Sequence, residues 1–207
     1  MEWIESGKRQ QSNLQHSTNF PTNQTNKHML KKILLALLVI IVVFVIVVMT
    51  RPAHFVITRS ATLPAPPATV FPFINDFHKW QDWSPWAKLD PKATNSFEGK
   101  PEGVGAAFSW SGNNEVGAGR MTITESRPNE LVKMDLDFTK PMQAHNITEF
   151  TLKPDGAGTK VTWTMSGDNG FIGKAFSLII DCDKMVGDKF VEGFANLKAQ
   201  VESPAKK

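Results

Sequence analysis

Between Arg51 and the C-terminus the chain alternates apolar and polar residues for more than a hundred positions and then changes period. Phe108 and Trp110 share one phase, as do Met121 and Ile123, then Met134, Leu136 and Phe138. Phe150 and Leu152 continue the pattern, followed by Val161, Trp163 and Met165. Lys133, Asp135, Asp137, Glu149, Lys160, Thr162 and Thr164 fall between them. A period of two with large apolar residues on one phase predicts strands with one buried and one wet face. Asn146 and Thr148 are the evident polar members of the inward set. Strands are predicted at 54–63, 94–98, 104–111, 116–126, 130–138, 144–153 and 159–167. Turn signals divide them at Pro101-Glu-Gly103, Gly112-Asn-Asn114, Pro128-Asn129 and Asp155-Gly156. Pro67 starts a short helix running toward Asn75, and a second short helix carries Trp80, Trp83 and Trp86, with Pro85 at its end.

From Ile179 the spacing becomes helical. Ile179, Val186, Phe190, Phe194, Leu197 and Val201 trace one face of a long helix over 171–202. A single sheet with one greasy face needs a cover, and an amphipathic helix needs a partner. The predicted class is α+β, with a curved antiparallel sheet wrapped around the C-terminal helix.

A third pattern precedes both. Ile33 to Met49 is seventeen residues without a polar side chain, bracketed by Lys31-Lys32 and Arg51. That is far too long for a strand and suits a lone helix in lipid. No small-x-small cleavage pattern follows it, so the expected reading is an uncleaved transmembrane anchor. Lys27, Lys31 and Lys32 outnumber Arg51 and Arg59, which places the N-terminus in the cytoplasm and the domain outside. Residues 1–28 are rich in Gln, Asn, Ser and Thr and are expected to be disordered. Met29-Leu-Lys-Lys has the form of a translation start, so residues 1–28 are expected to be an upstream extension or an artificially added segment. The expected organisation is a disordered 1–28, an anchor over 29–51, a globular domain over 52–203 and a tail over 204–207.

Charge changes the picture only once it is divided. The chain carries +3 overall, but residues 1–51 hold six basic against two acidic residues, leaving the remainder at −1. The positive excess flanks the apolar run and forms no nucleic-acid footprint. Cys182 is the sole cysteine and cannot form an internal disulfide; it is expected to pack as a small residue on the helix.

Candidate chemistry is sparse. No His, Asp, Glu, Lys or Cys falls clearly on the inward phase, where acid–base groups would have to converge. His78 and His145 read as loop or surface residues. Asp181 and Asp183 face different directions on a helix, which suits solvation or a helix end better than catalysis. No metal-ligand spacing, nucleophile elbow or phosphate loop is present. Gly103, Gly105, Gly117 and Gly119 stand at strand starts and read as bends. The sequence therefore assigns no catalytic residue, no metal and no cofactor.

Several blocks are similar to a known superfamily. They are Ala65-Pro-Pro-Ala-Thr-Val-Phe71, Trp80-Gln-Asp-Trp-Ser-Pro-Trp86, Gly103-Val-Gly-Ala-Ala-Phe-Ser-Trp110 and Val116-Gly-Ala-Gly-Arg-Met-Thr-Ile-Thr-Glu-Ser126. Gly158-Thr-Lys-Val-Thr-Trp163 and Asp183-Lys-Met-Val-Gly187 complete the set. Residues 54–202 resemble the SRPBCC (START-like, helix-grip) superfamily, close to bacterial proteins described as polyketide cyclase/dehydrase or lipid-transport-like. The resemblance implies about seven antiparallel strands gripping the C-terminal helix around an apolar cavity. It implies no single activity, because such folds host carriers, cyclases and oxygenase domains.

The inward phase and the tryptophan cluster define the expected cavity lining. It comprises Trp83, Trp86, Phe108, Trp110, Met121, Ile123, Met134, Leu136, Phe138, Phe150, Trp163, Met165 and Phe190, with Asn146 or Thr148 as a polar anchor. The expected function is a domain on the bacterial inner membrane binding a hydrophobic small molecule or lipid, with the bilayer as its other partner. The alternatives are a cyclase/dehydrase-like enzyme and a ligand-free protein-interaction module.

Overall fold

A computed structural model of the chain describes residues 24–203. The expected disorder over 1–23 and the tail 204–207 lie outside the described residues. Two compact units divide the chain after Val47. Helix α1 covers Gln24–Met49, all but its last two residues in the first unit. It begins within the stretch expected to be disordered, because an established helix adds one hydrogen bond per residue and extends readily into polar flanks. Its stretch Lys27–Met49 is long and apolar enough to cross a membrane. Those 23 residues span about 35 Å against a hydrocarbon core of about 30 Å.

The second unit runs β1 (His54–Leu63), α2 (Pro67–Asn75), α3 (Phe77–Trp83) and β2 (Thr94–Gly99). Strands β3 (Ala106–Ser111), β4 (Ala118–Arg127), β5 (Leu131–Lys140), β6 (Ala144–Asp155) and β7 (Gly158–Asp168) follow. Helices α4 (Phe171–Phe176) and α5 (Cys182–Glu202) close the chain. The strands form one antiparallel sheet in the order β1-β7-β6-β5-β4-β3-β2, so all neighbours except β1 and β7 are sequential. The α+β helix-grip architecture expected from the sequence is thus present, with α5 packed on the sheet.

Turn chemistry makes the hairpins. Asn129 adopts φ 64° between β4 and β5, a left-handed conformation that Asn tolerates better than most residues. Gly117, at φ 63° before β4, leads into a register shift at Ala118/Gly119 that bends the strand. At Gly119 a Cβ would lie 2.6 Å from the Trp110 ring and 2.5 Å from the Asp137 carbonyl, so only glycine lets that indole lie over the strand.

The long helix expected over 171–202 is two helices. Residues 177–181 leave the helical path, and Asp181 caps α5 by accepting from the Lys184 amide (2.9 Å). Ile179 consequently lies in the connection and is 87% exposed, off the apolar face assigned to it. Val186, Phe190, Phe194, Leu197 and Val201 hold that face. Cys182, expected to be packed, is exposed, because it occupies the first position of α5 beyond the sheet's cover. Asp183 turns instead to β1, where Arg59 donates to its carboxylate (2.9 and 3.2 Å) and to its carbonyl (3.0 Å). That hydrogen bond holds the Asp183 carboxyl below its usual range. Gly187, one turn on, leaves the space the guanidinium occupies.

The core lies between the sheet and α2, α3 and α5, and includes Val70, Ile74, Trp80, Trp83, Ile123, Met134, Phe150, Trp163 and Leu197. Trp83 donates to the Phe73 carbonyl (2.8 Å) and Asn196 to the Trp83 carbonyl (3.1 Å), tying α2, α3 and α5 together.

Candidate functional site

The alternation of the strands puts every inward side chain on the face under the helices, but the cover is not continuous. Helices α2 and α3 close one part of the concave face. Elsewhere the chain after α3 crosses as turns between Ser84 and Ala93 and leaves a recess of about 210 Å³. Trp86 belongs to these turns, beyond the helix expected to carry it, since Pro85 cannot continue the hydrogen-bonded ladder.

Ten of the fifteen residues expected to line a cavity meet there. Trp86, Phe108, Trp110, Met121, Leu136, Phe138, Thr148, Trp163, Met165 and Phe190 all face the recess. The other five are elsewhere. Trp83, Ile123, Met134 and Phe150 are at most 1% exposed and fill the core without facing the recess. Asn146 is buried too, but its amide folds over Gly167, its partner on β7, where a Cβ would collide with Oδ1. Inward phase was legible for the four strand residues among them, and Trp83 was marked by the tryptophan cluster; position beneath the cover was legible for none.

Residues outside the expected set complete the wall. Trp80, Ser84, Ala87, Ala93, Val116 and Val186 contribute from the helices and loops, and Gln81, Asp90, Asn95 and Glu115 are its more exposed polar members. The tryptophan-rich stretch was the signal for Trp80, whereas nothing local marks Ala93 or Val116. Thr148 is the buried polar side chain from the sheet, at 3% exposure.

Aromatic rings set the geometry. Trp163 stacks on Phe190 with centroids 4.0 Å apart and planes at 8°. Trp86 meets the same indole edge-on at 5.8 Å, and Trp110 stacks on Phe108 at 5.8 Å. Trp110 is held by donating to the Val116 carbonyl (2.9 Å). Such packed rings keep few rotamers, so the recess is pre-formed.

The titratable groups on the wall are Asp90 and Glu115. Asp90 already accepts from the backbone amides of Lys92 (3.0 Å) and Asn113 (2.7 Å), a loop-ordering role. His145 faces away, paired with Asp137 (2.7 Å), and His78 stacks on Phe97 at 4.1 Å. Among the described residues no three His, Cys, Asp or Glu side chains come together as a metal site. What the arrangement does well is desolvate an apolar molecule.

Solved structures share this shape at low identity. A Chromobacterium violaceum protein is 18% identical, with a TM-score of 0.54 over 72% of this chain and 98% of its own. A Mesorhizobium loti protein is 16% identical, with a TM-score of 0.52 over 71% and 96%. The Aha1 dimer from Colwellia psychrerythraea gives 18% and 0.52 over 72% and 96%. At these identities the likeness is one of fold. No curated protein matches the chain. The family described as polyketide cyclase / dehydrase and lipid transport matches residues 54–202, nearly the whole second unit, and the chain belongs to that family, within the SRPBCC superfamily.

Proposed function

We propose that this chain is a membrane-anchored binding protein that holds a hydrophobic small molecule, or the apolar end of a lipid, in the recess beneath Trp86 and α5. The observation that carries this reading is the recess itself: a pre-formed hollow of about 210 Å³ walled mainly by aromatic, Leu and Met side chains. The family description, which includes lipid transport, agrees with it.

Size narrows the ligand. The volume exceeds the roughly 150 Å³ of an apolar cavity that takes benzene, and it falls short of the roughly 300–1,000 Å³ typical of drug-sized sites. A molecule of one or two rings fits, or the end of one acyl chain; a whole diacyl lipid does not. In this reading α1 spans the bacterial inner membrane, Lys27, Lys31 and Lys32 stay on the cytoplasmic side, and the binding unit lies outside. The anchor keeps the recess near the phase where apolar molecules concentrate.

The full chain purified from a native-like host into lipid nanodiscs provides the test. Mass spectrometry of the released protein should show a stoichiometric adduct that organic solvent removes. Filling the recess by Met165→Trp should abolish the adduct without unfolding the protein. A bare mass, with no uptake from a lipid extract, would overturn the reading and point to a protein-interaction module.

A further inference from the structure

Helix α4 has no buried side chain, although Lys174 is its one charged residue. Phe171, Ile172 and Phe176 are 47–59% exposed, and Ile179 and Ile180 follow in the connection to α5 at 87% and 36%. An apolar groove runs alongside, walled by Val56 of β1, Leu178, Met185 and Val186. Leaving such a contiguous apolar face in water is unfavourable, and it marks an interaction surface.

We infer that α4 and the 177–180 connection dock on the surface of the bilayer that α1 spans, with Ile172, Phe176 and Ile179 entering the boundary between headgroups and acyl chains. This rests on the anchor proposed above and adds a second lipid contact, made by the binding unit itself. Chain length argues for lipid. The Asn169 amide donates to the Ala53 carbonyl (2.6 Å), and the side chains of His54 and Asp168 pair across the strands (3.0 Å). Helix α4 therefore starts beside the first residues of β1. Ala53 is four residues from Met49, where the span ends, and four residues reach about 14 Å at most. The face is thus leashed close to the bilayer, whereas nothing in the chain brings a protein partner to it.

The charges agree with docking driven by apolar insertion. Residues 168–191 hold four Asp against three Lys, so no basic patch is there to require anionic lipid. All four carboxylates are engaged within the protein: Asp168 with His54, Asp181 with the Lys184 amide, Asp183 with Arg59 and Asp188 with the Lys184 ammonium. One short apolar face is a weak ligand for lipid by itself, and tethering by α1 supplies the effective concentration that keeps it docked. The groove shares Met165 and Val186 with the recess, so docking sets the proposed binding site beside lipid.

Cys182, the sole cysteine, is exposed at the first position of α5 and lines the groove, so it reports on this face without an added mutation. It is labelled with a nitrobenzoxadiazole fluorophore in the full chain, held in phosphatidylcholine nanodiscs that contain phosphatidylcholine spin-labelled near the headgroup. A control label goes on Ala157→Cys in a Cys182→Ser background, in the β6–β7 turn at the other end of the sheet, about 33 Å away along β7. The spin-labelled lipid should quench the Cys182 label several-fold more than the control. Ile172→Asp together with Ile179→Asp should remove most of that excess and leave the melting temperature unchanged, because both side chains are exposed. Strong quenching that survives these substitutions would mean that the tether alone brings Cys182 to lipid, and would overturn the docking face. Weak quenching of both labels in the incorporated chain would also overturn it and leave the anchor standing; shielding of Cys182 from aqueous iodide in that state would identify a protein as the occupant. A chain that fails to enter nanodiscs would overturn the anchor and the docking face together. Should the doubly substituted chain misfold, Ile179→Asp in the connection decides alone.

Discussion

Trp83 and Trp163 lie edge to face with centroids 5.6 Å apart, both almost fully buried, yet they stand on different terms with the fold. Trp83 satisfies the Phe73 carbonyl, so Trp83→Phe removes a hydrogen bond as well as ring volume, and leaves a part-buried acceptor without that donor. Trp163→Phe removes similar volume and a donor that has no hydrogen-bond partner among the described residues. In denaturant titrations of the ligand-free chain, Trp83→Phe should therefore be the more destabilising by about 1–3 kcal/mol. Equal losses would mean that Trp163 has a partner after all. On the wet face, the hydrogen bond from His145 to Asp137 raises the imidazole above its ordinary value. A raised folded value means that the pair's contribution is complete below the unfolded value of about 6.5 and is lost as pH rises through the folded value. NMR titration of His145 should show its midpoint falling when Asp137 is changed to Asn.

At the scale of elements, helix α5 is fastened to the sheet at two glycines with different tolerances. A Cβ on Gly187 would meet the guanidinium of Arg59, the far end of a flexible side chain that can move aside. A Cβ on Gly193 would meet the Trp163 ring at 2.9 Å and Pro85 at 3.3 Å, and neither is free to yield. Gly187→Ala should leave the melting temperature unchanged or higher, since Ala is favoured over Gly in a helix by about 1 kcal/mol. The same variant should return the Asp183 carboxyl toward its ordinary range, because its hydrogen bond to Arg59 is what lowers it. Gly193→Val should cost about 1–3 kcal/mol by overpacking. Removing the cap that separates α5 from α4, by Asp181→Ala, should cost about 0.5–2 kcal/mol and fray the first turn in hydrogen exchange. A protected first turn in that variant would show that Asp181 does not start the helix.

For the whole molecule, the proposed function divides the labour between two units, α1 as anchor and the second unit as binder. The core cluster is drawn from residues 57 to 197, none of them in α1. Deleting residues 1–51 should therefore move the protein from the membrane fraction to the soluble fraction with its near-UV circular dichroism intact. A truncated chain that still sediments with membranes would place the attachment in the second unit instead of α1.

Much of this protein follows from its sequence alone. Strand phase is a local property, fixed by alternating Cβ directions, so Phe108, Met121, Leu136, Trp163 and Met165 could be set facing inward before any coordinates. The apolar span, the first helix after β1 and the β4–β5 turn at Asn129 are similarly local, because hydropathy, proline and left-handed propensity act within a few residues. Tertiary structure decided what depends on distant neighbours. Whether an inward residue such as Met134 or Met165 meets a packed helix or an open recess depends on where α2, α3 and the 84–93 turns end. The interruption between α4 and α5 is marked by Asp181, an end signal that the continuing apolar spacing obscured. The lone Nε1 of Trp163 is beyond any reading of the chain by itself, since a missing partner shows only when all the possible partners have been placed.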